Sequence, residues 1–192
     1  DYKLDVPVVA CGGFRDGRGL AAALAFGADG IAMGTRFMMS AESPVPQATK
    51  QAYLDAEVTK IPVSTKLDGL PQRMVMNPTL QDLENAWSLG MLFRAMVNGF
   101  RFKAQSEMSM LETVKTAWKM ASGTDLTLGQ TLMAANAPII IQKAMVDGNP
   151  DKGVLPSGQV AGLINDLPGA GDIIDTIITD AQERLQNTKS GN

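Results

Sequence analysis

The chain has 192 residues, with 17 Lys and Arg against 20 Asp and Glu, no histidine and a formal net charge of −3. Its basic residues are scattered, which excludes the electrostatic footprint of a nucleic-acid binder, and no apolar run approaches the roughly 20 residues needed to cross a bilayer. A single cysteine, Cys11, excludes an internal disulfide and suits a reducing, cytoplasmic setting; with no histidine beside it, no zinc or iron site is expected.

The chain opens on Val6-Pro7-Val8-Val9-Ala10-Cys11-Gly12-Gly13, an apolar run ending in glycine. Residues 6–10 are expected as a strand buried on both faces, opening into a backbone-exposing turn. Asp16 is placed as the N-cap of an alanine-rich helix over 17–26, with Gly27 at its left-handed C-cap. A second apolar run, 30–33, ends at Gly34-Thr35-Arg36-Phe37. Strand, helix and strand make a βαβ unit with a right-handed crossover and parallel strands. Two glycine-tipped turns at the carboxyl ends of neighbouring parallel strands form an anion cradle, because their N–H groups approach a phosphate with no Cβ between.

Further along, residues 44–57 read as a helix with Ser43 as cap and Pro44 in its first turn. Residues 60–77 read as an extended connector. Amphipathic helices follow over 79–98, 106–121 and 128–146, the last kinked or split near Asn136 by Pro138 and stopped by Asp147-Gly148-Asn149-Pro150. The final helix is expected from about 171 to 185, with a frayed polar tail over 186–192.

The segment from Pro7 to Phe37 resembles the closing βαβ of the nitronate monooxygenase family, formerly the 2-nitropropane dioxygenases. Looser echoes follow in Gly69-Leu70-Pro71-Gln72-Arg73-Met74-Val75-Met76-Asn77 and in Ser157-Gly158-Gln159-Val160-Ala161-Gly162-Leu163-Ile164. The resemblance implies an α/β fold, the C-terminal part of an FMN-dependent (β/α)8 TIM barrel carrying its last two strands and a mostly helical cap. A whole barrel runs to about 250 residues, more than this chain has. The expected division is 1–58 as the closing part of the barrel, 59–170 as connector and helical cap, and 171–192 as a helix packing back on the barrel.

The same resemblance assigns roles. Gly12, Gly13, Gly34 and Thr35 would hold the FMN phosphate, and Ala32 and Met33 would touch the cofactor through backbone. Arg36 is expected to point away into a salt bridge. Arg73 either orients a carboxylate, nitronate or phosphate of the substrate or ties the connector to the barrel by an ion pair. Ser157, Gly158 and Gln159 either reach flavin or substrate or cap a helix. Most of the twelve methionines read as core filling, and those of a cap suit a bulky acyl substrate.

No catalytic residue is assigned in this chain. The family's base is a histidine from an earlier strand's loop, so it belongs to an N-terminal portion not present here, or this branch works without it. The helix after the Gly-Thr-Arg-Phe turn, where many relatives carry another histidine, here has Pro44-Val45-Pro46-Gln47. Three functions are carried forward: oxidation of a nitronate or similar carbon acid, with oxygen reoxidising the flavin; reduction or dehydrogenation of an enoyl- or acyl-CoA thioester on the same scaffold; and a non-catalytic phosphate-binding module completing a barrel with a partner chain. The expected partners are thus a small-molecule or acyl-thioester substrate and the remainder of the barrel, with a homodimer allowed.

Overall fold

The structure is a computed structural model that describes the backbone of residues 6–86 and 128–190 and, within them, the side chains of 6–86 and 137–188. The chain forms two compact units, Asp1–Ile61 with Ser157–Asn192, and Pro62–Pro156. Residues 157–170, grouped above with the cap, thus cluster with the opening βαβ segment.

In the first unit, β1 (Val9–Cys11), α1 (Gly17–Ala25) and β2 (Gly30–Ala32) follow in order. The two strands are parallel, with Val9 opposite Gly30, Ala10 opposite Ile31 and Cys11 opposite Ala32. Both begin or end a residue or more away from the expected 6–10 and 30–33. Asp16 caps α1 by accepting from the Gly19 amide, and Gly27 turns the chain out of the helix at φ +90°. The expectation of strands buried on both faces is not met: Val8 and Val9 are 54% and 52% exposed, and Phe26 is 93% exposed. Each strand has one partner among the described residues, so one edge of each and much of their faces remain uncovered.

A single helical turn, α2 (Thr35–Met38), follows β2 directly, and α3 spans Gln47–Leu54. The start of α3 is later than the expected residue 44, because Pro46 takes φ −57° and ψ 145°, an extended conformation. Ser43 does not cap the helix; its Oγ accepts from the Val45 amide. Buried Lys50 turns inward and donates through Nζ to the carbonyls of Ser40 (2.7 Å) and Ala41 (3.3 Å), closing the segment between α2 and α3. One 3₁₀ turn, Val58–Lys60, ends this stretch, and another, Gln159–Leu163, returns to pack on it. Their approach depends on Gly162, where a Cβ would lie 2.5 Å from the Val58 nitrogen.

The last helix of the first unit, α6, runs Ala170–Ser190. (The described helices that lie between α3 and α6 in the chain, Pro78–Asn85 as α4 and Leu128–Met145 as α5, belong to the second unit.) Its buried residues Ile173, Ile177 and Ala181 recur every four positions and form the face that meets α1. Glu42 accepts from the Ala170 amide with both carboxylate oxygens, at 3.0 and 2.9 Å, satisfying an orphan donor at the start of the helix. The expected fraying from residue 186 is corrected: helix continues to Ser190, supported by Arg184 on Asp180 (2.7 Å) and by the Thr188 hydroxyl on the Arg184 carbonyl (2.9 Å).

The second unit corrects the reading of 60–77 as a mere connector. Here β3 (Val63–Ser64) and β4 (Gln72–Val75) pair antiparallel, and β5 (Leu155–Pro156) adds antiparallel to the other side of β4. Helix α4 (Pro78–Asn85) is capped by Asn77, whose Oδ1 accepts from the Leu80 amide at 2.8 Å. The Asn77 amide group donates in turn to the carbonyls of Pro150 and Gly153, both at 2.6 Å. Ala86 is extended and ends α4, so the helix expected over 79–98 stops early; residues 87–98 and the helix expected over 106–121 lie outside the described residues. Helix α5 (Leu128–Met145) passes through Pro138 without splitting. Pro138 is exposed, where water can satisfy the carbonyl that proline leaves unpaired. Leu67, Met74, Leu80, Ala137 and Val154 form the core of this unit. Met39 and Met74, one in each unit, are fully buried, as core-filling methionines are.

Candidate functional site

Parallel pairing of Cys11 with Ala32 brings the two chain exits side by side, one strand spacing (about 4.8 Å) apart. From that shared edge the chain leaves through Gly12-Gly13 on one strand and Met33-Gly34-Thr35 on the other. Gly12 and Gly13 hold φ +92° and +78°, a conformation that side chains with a Cβ rarely adopt. A Cβ built on Gly12, Gly13 or Gly34 would meet nothing within 4 Å, so the backbone here faces open space. None of the turn hydrogen bonds among the described residues uses the amides of these three glycines as donors. Ala32 is exposed and Met33 half-buried beside them.

Thr35 is tied to a segment 123 residues away: its Oγ1 accepts from the Gly158 amide at 2.8 Å. That bond uses an oxygen lone pair and leaves the hydroxyl proton to donate elsewhere. The same distant segment makes two further links to the two turns. The Leu163 carbonyl accepts from Arg15 Nη1, just beyond the Gly12-Gly13 turn, and Asp166 pairs with Arg36 Nη1 at 2.7 Å, just beyond Thr35. Residues 157–166 therefore act as a strap across both turns. Ser157 and Gln159 flank Gly158 on that strap; Ser157 turns its hydroxyl onto the Gly158 carbonyl, and Gln159 is exposed as the 3₁₀ turn begins.

Arg36 forms the salt bridge its place on the chain suggested, while its other terminal nitrogen, Nη2, is buried with no partner among the described residues. Asp16 sits at the start of α1, three residues past the glycine turn. Partial burial works to raise its pKa, but hydrogen bonds from Arg18 and the Gly19 amide, with the charges of Arg18 and Arg15, prevail and hold the carboxyl below the usual carboxylate value. Arg73 lies on β4 in the second unit and is already engaged in an interaction of its own. Sequence reasoning missed Arg15 and Asp166 as links of the strap; nothing local marks that role, because the strap contacts join residues 148 and 130 positions apart.

Chemically, the arrangement offers backbone amides without side-chain cover, one hydroxyl with a free proton, and nearby guanidinium groups held by acids. Such a set has the donors to hydrogen-bond the oxygens of a small oxyanion.

The chain is similar to (3aS,4S,5R,7aS)-5-hydroxy-7a-methyl-1-oxo-octahydro-1H-indene-4-carboxyl-CoA dehydrogenase of Rhodococcus jostii, 46% identical over 182 residues, which is 95% of this chain and 52% of the relative. A probable nitronate monooxygenase of Staphylococcus saprophyticus is 41% identical over 75 residues, 39% of this chain and 21% of that one. Among solved structures, FabK from Thermotoga maritima superposes with a TM-score of 0.64 at 25% identity, over 97% of this chain and 48% of that one. The chain thus spans about half the length of the relatives it matches most fully. The profile of the nitronate monooxygenase family matches residues 2–180, and the chain belongs to that family.

Proposed function

We propose that this chain is the C-terminal part of an FMN-dependent oxidoreductase whose substrate is a CoA thioester of a bulky alicyclic acid. One observation carries the choice of substrate: the similarity to an acyl-CoA dehydrogenase extends over 95% of the chain, whereas the similarity to a named nitronate monooxygenase is confined to 39%. The nitronate reaction expected from the resemblance stands second, supported by the family itself. Fold alone does not choose between them.

The residues present fit a flavin phosphate. Gly12 and Gly13 hold backbone conformations that a Cβ would strain, Gly34 has open space beside it, and Thr35 has a hydroxyl proton to give. Bound there, FMN supplies a two-electron acceptor for a substrate carbon–hydrogen bond. The chain's own work is to hold the phosphate and so fix the ring system's reach. Ser157 and Gln159, beside Gly158 on the strap, are placed to touch cofactor or substrate. Arg73 carries a charge suited to an anionic group of the substrate.

The uncovered edge of β1 and the exposed Val6, Val8, Val9 and Phe26 support the view that further strands and helices of a barrel cover this face. A histidine base of the kind the family resemblance implies would come from that further sequence, since this chain has no histidine; the alternative is a branch that works without it.

The test is anaerobic mixing of the purified full-length protein with candidate substrates while the flavin absorbance is followed. Bleaching by an alicyclic acyl-CoA, and none by an alkyl nitronate, is the expected result. Bleaching by the nitronate alone moves the second reading to first place, and a colourless protein that binds phosphate esters returns the non-catalytic module.

A further inference from the structure

The strap across the two turns has a feature that goes beyond holding them. Gly158 contributes no side chain, yet its amide is the partner of the Thr35 hydroxyl, at 2.8 Å. A threonine hydroxyl rotates, and with no fixed acceptor or donor its single proton samples several directions. An N–H pointing into one of its lone pairs removes the orientations in which the proton would face that N–H. It also polarises the O–H bond, since linked hydrogen bonds strengthen one another. Among the described residues nothing takes the Thr35 proton, so the oriented donor is left for a ligand.

The position of Gly158 is selected sterically as well. A Cβ there would stand 3.2 Å from Thr35 Oγ1 and 3.8 Å from Val160 Cγ1. Its backbone, at φ −79° and ψ 161°, is one that any residue adopts, so backbone freedom does not demand glycine here. A Cβ there would instead push the hydroxyl out of place by a few tenths of an ångström.

We propose that Gly158 is a positioning residue for the cofactor phosphate, its amide fixing the Thr35 hydroxyl as a phosphate donor. The proposal rests on the flavin-phosphate reading above and deepens it. In this role Gly158 acts through Thr35, and its effect is confined to ligands that carry a phosphate.

That confinement makes it testable. Apoprotein of the full-length chain is titrated with FMN and, separately, with riboflavin, which has the same ring and no phosphate. Thr35→Val, nearly isosteric but without the hydroxyl, is expected to weaken FMN about tenfold, the worth of one hydrogen bond to a charged group, and to leave riboflavin unchanged. Thr35→Ser is expected to recover most of that loss. Gly158→Ala keeps the amide but sets a Cβ 3.2 Å from the Thr35 hydroxyl; by displacing that hydroxyl it is expected to weaken FMN severalfold, again sparing riboflavin. Equal loss of riboflavin, or undiminished FMN affinity in Gly158→Ala, overturns the proposal. Undiminished FMN affinity in Thr35→Val instead overturns the site reading on which it stands. Should Gly158→Ala fail to fold, the Val and Ser variants of Thr35 still decide the matter: Thr35→Ser keeps the oxygen that accepts from the Gly158 amide, and its failure to recover FMN affinity overturns the alignment.

Discussion

Gly17 opens α1 against α6, and replacing it with alanine is the sharpest probe of how the first unit is held. A Cβ at Gly17 would lie 2.5 Å from the Ala181 nitrogen, 2.6 Å from Asp180 Cβ and 2.6 Å from the Ile177 carbonyl oxygen. Two of these are backbone atoms of a helix and cannot rotate away. Reaching an ordinary contact of about 3.5 Å requires the helices to part by about an ångström. Overpacking of this kind costs about 1–3 kcal/mol, and alanine's better helix propensity returns at most about 1 kcal/mol. Even with that gain taken in full, a net loss of up to about 2 kcal/mol follows, a fall in Tm of up to roughly 8 °C for a protein of this size. Gly171→Ala, in the first turn of α6, is the control, since a Cβ there meets nothing within 4 Å. It should be neutral or slightly stabilising. Thermal unfolding followed by circular dichroism reads both. A Gly17→Ala protein as stable as Gly171→Ala would refute the close packing of the two helices.

Two other outcomes follow from single residues. Asn77→Ala removes a helix cap and two donated hydrogen bonds at once, a loss of about 2–4 kcal/mol in urea unfolding when about 1 kcal/mol is assigned to each; Asn77→Asp, which keeps the cap and loses only the donors, should fall between that variant and the parent. Asp16 has a native pKa held below its ordinary 3.8, so its ionised form stabilises the fold above that pH and the contribution fades as pH falls through the lowered value. The stability difference between parent and Asp16→Asn should therefore be constant near neutrality and shrink below about pH 4; a difference that grows on acidification contradicts the sign.

Much of the first unit was legible because its signals are local. An apolar run ending in Gly12-Gly13, an aspartate three residues on, an alanine-rich stretch and a second run ending at Gly34 each specify their own conformation through neighbours in sequence. The second unit's sheet was not legible. Val63–Ser64 and Leu155–Pro156 are two-residue strands defined only by what pairs with them, and β4 meets β5 across some eighty positions. Too few residues are involved for any periodicity to register. The end of α6 was misread for a related reason: Gln186 to Ser190 look polar and loose, but in a helix Arg184 and Thr188 fall one turn from their partners. In the candidate site, the glycines and Thr35 announce themselves, since only certain residue types suit a bare anion cradle. The contacts of the strap that crosses it do not, because Gly158, Leu163 and Asp166 engage by backbone amide, backbone carbonyl and one exposed carboxylate, none of which has a pattern to read. The exposure of β1 was misjudged because an apolar run reports that burial is wanted, and not which part of a protein supplies it.

The central claim is that the two glycine turns and Thr35 hold a flavin phosphate, and Gly34→Val tests it most directly. Gly34 has φ −94° and ψ −69°, right-handed helical values that valine tolerates, and the space around it is open. The variant should therefore fold with a Tm close to that of the parent apoprotein, yet lose FMN on purification and fail to regain it on reconstitution. A Gly34→Val protein that keeps both its stability and a full complement of FMN would contradict the account.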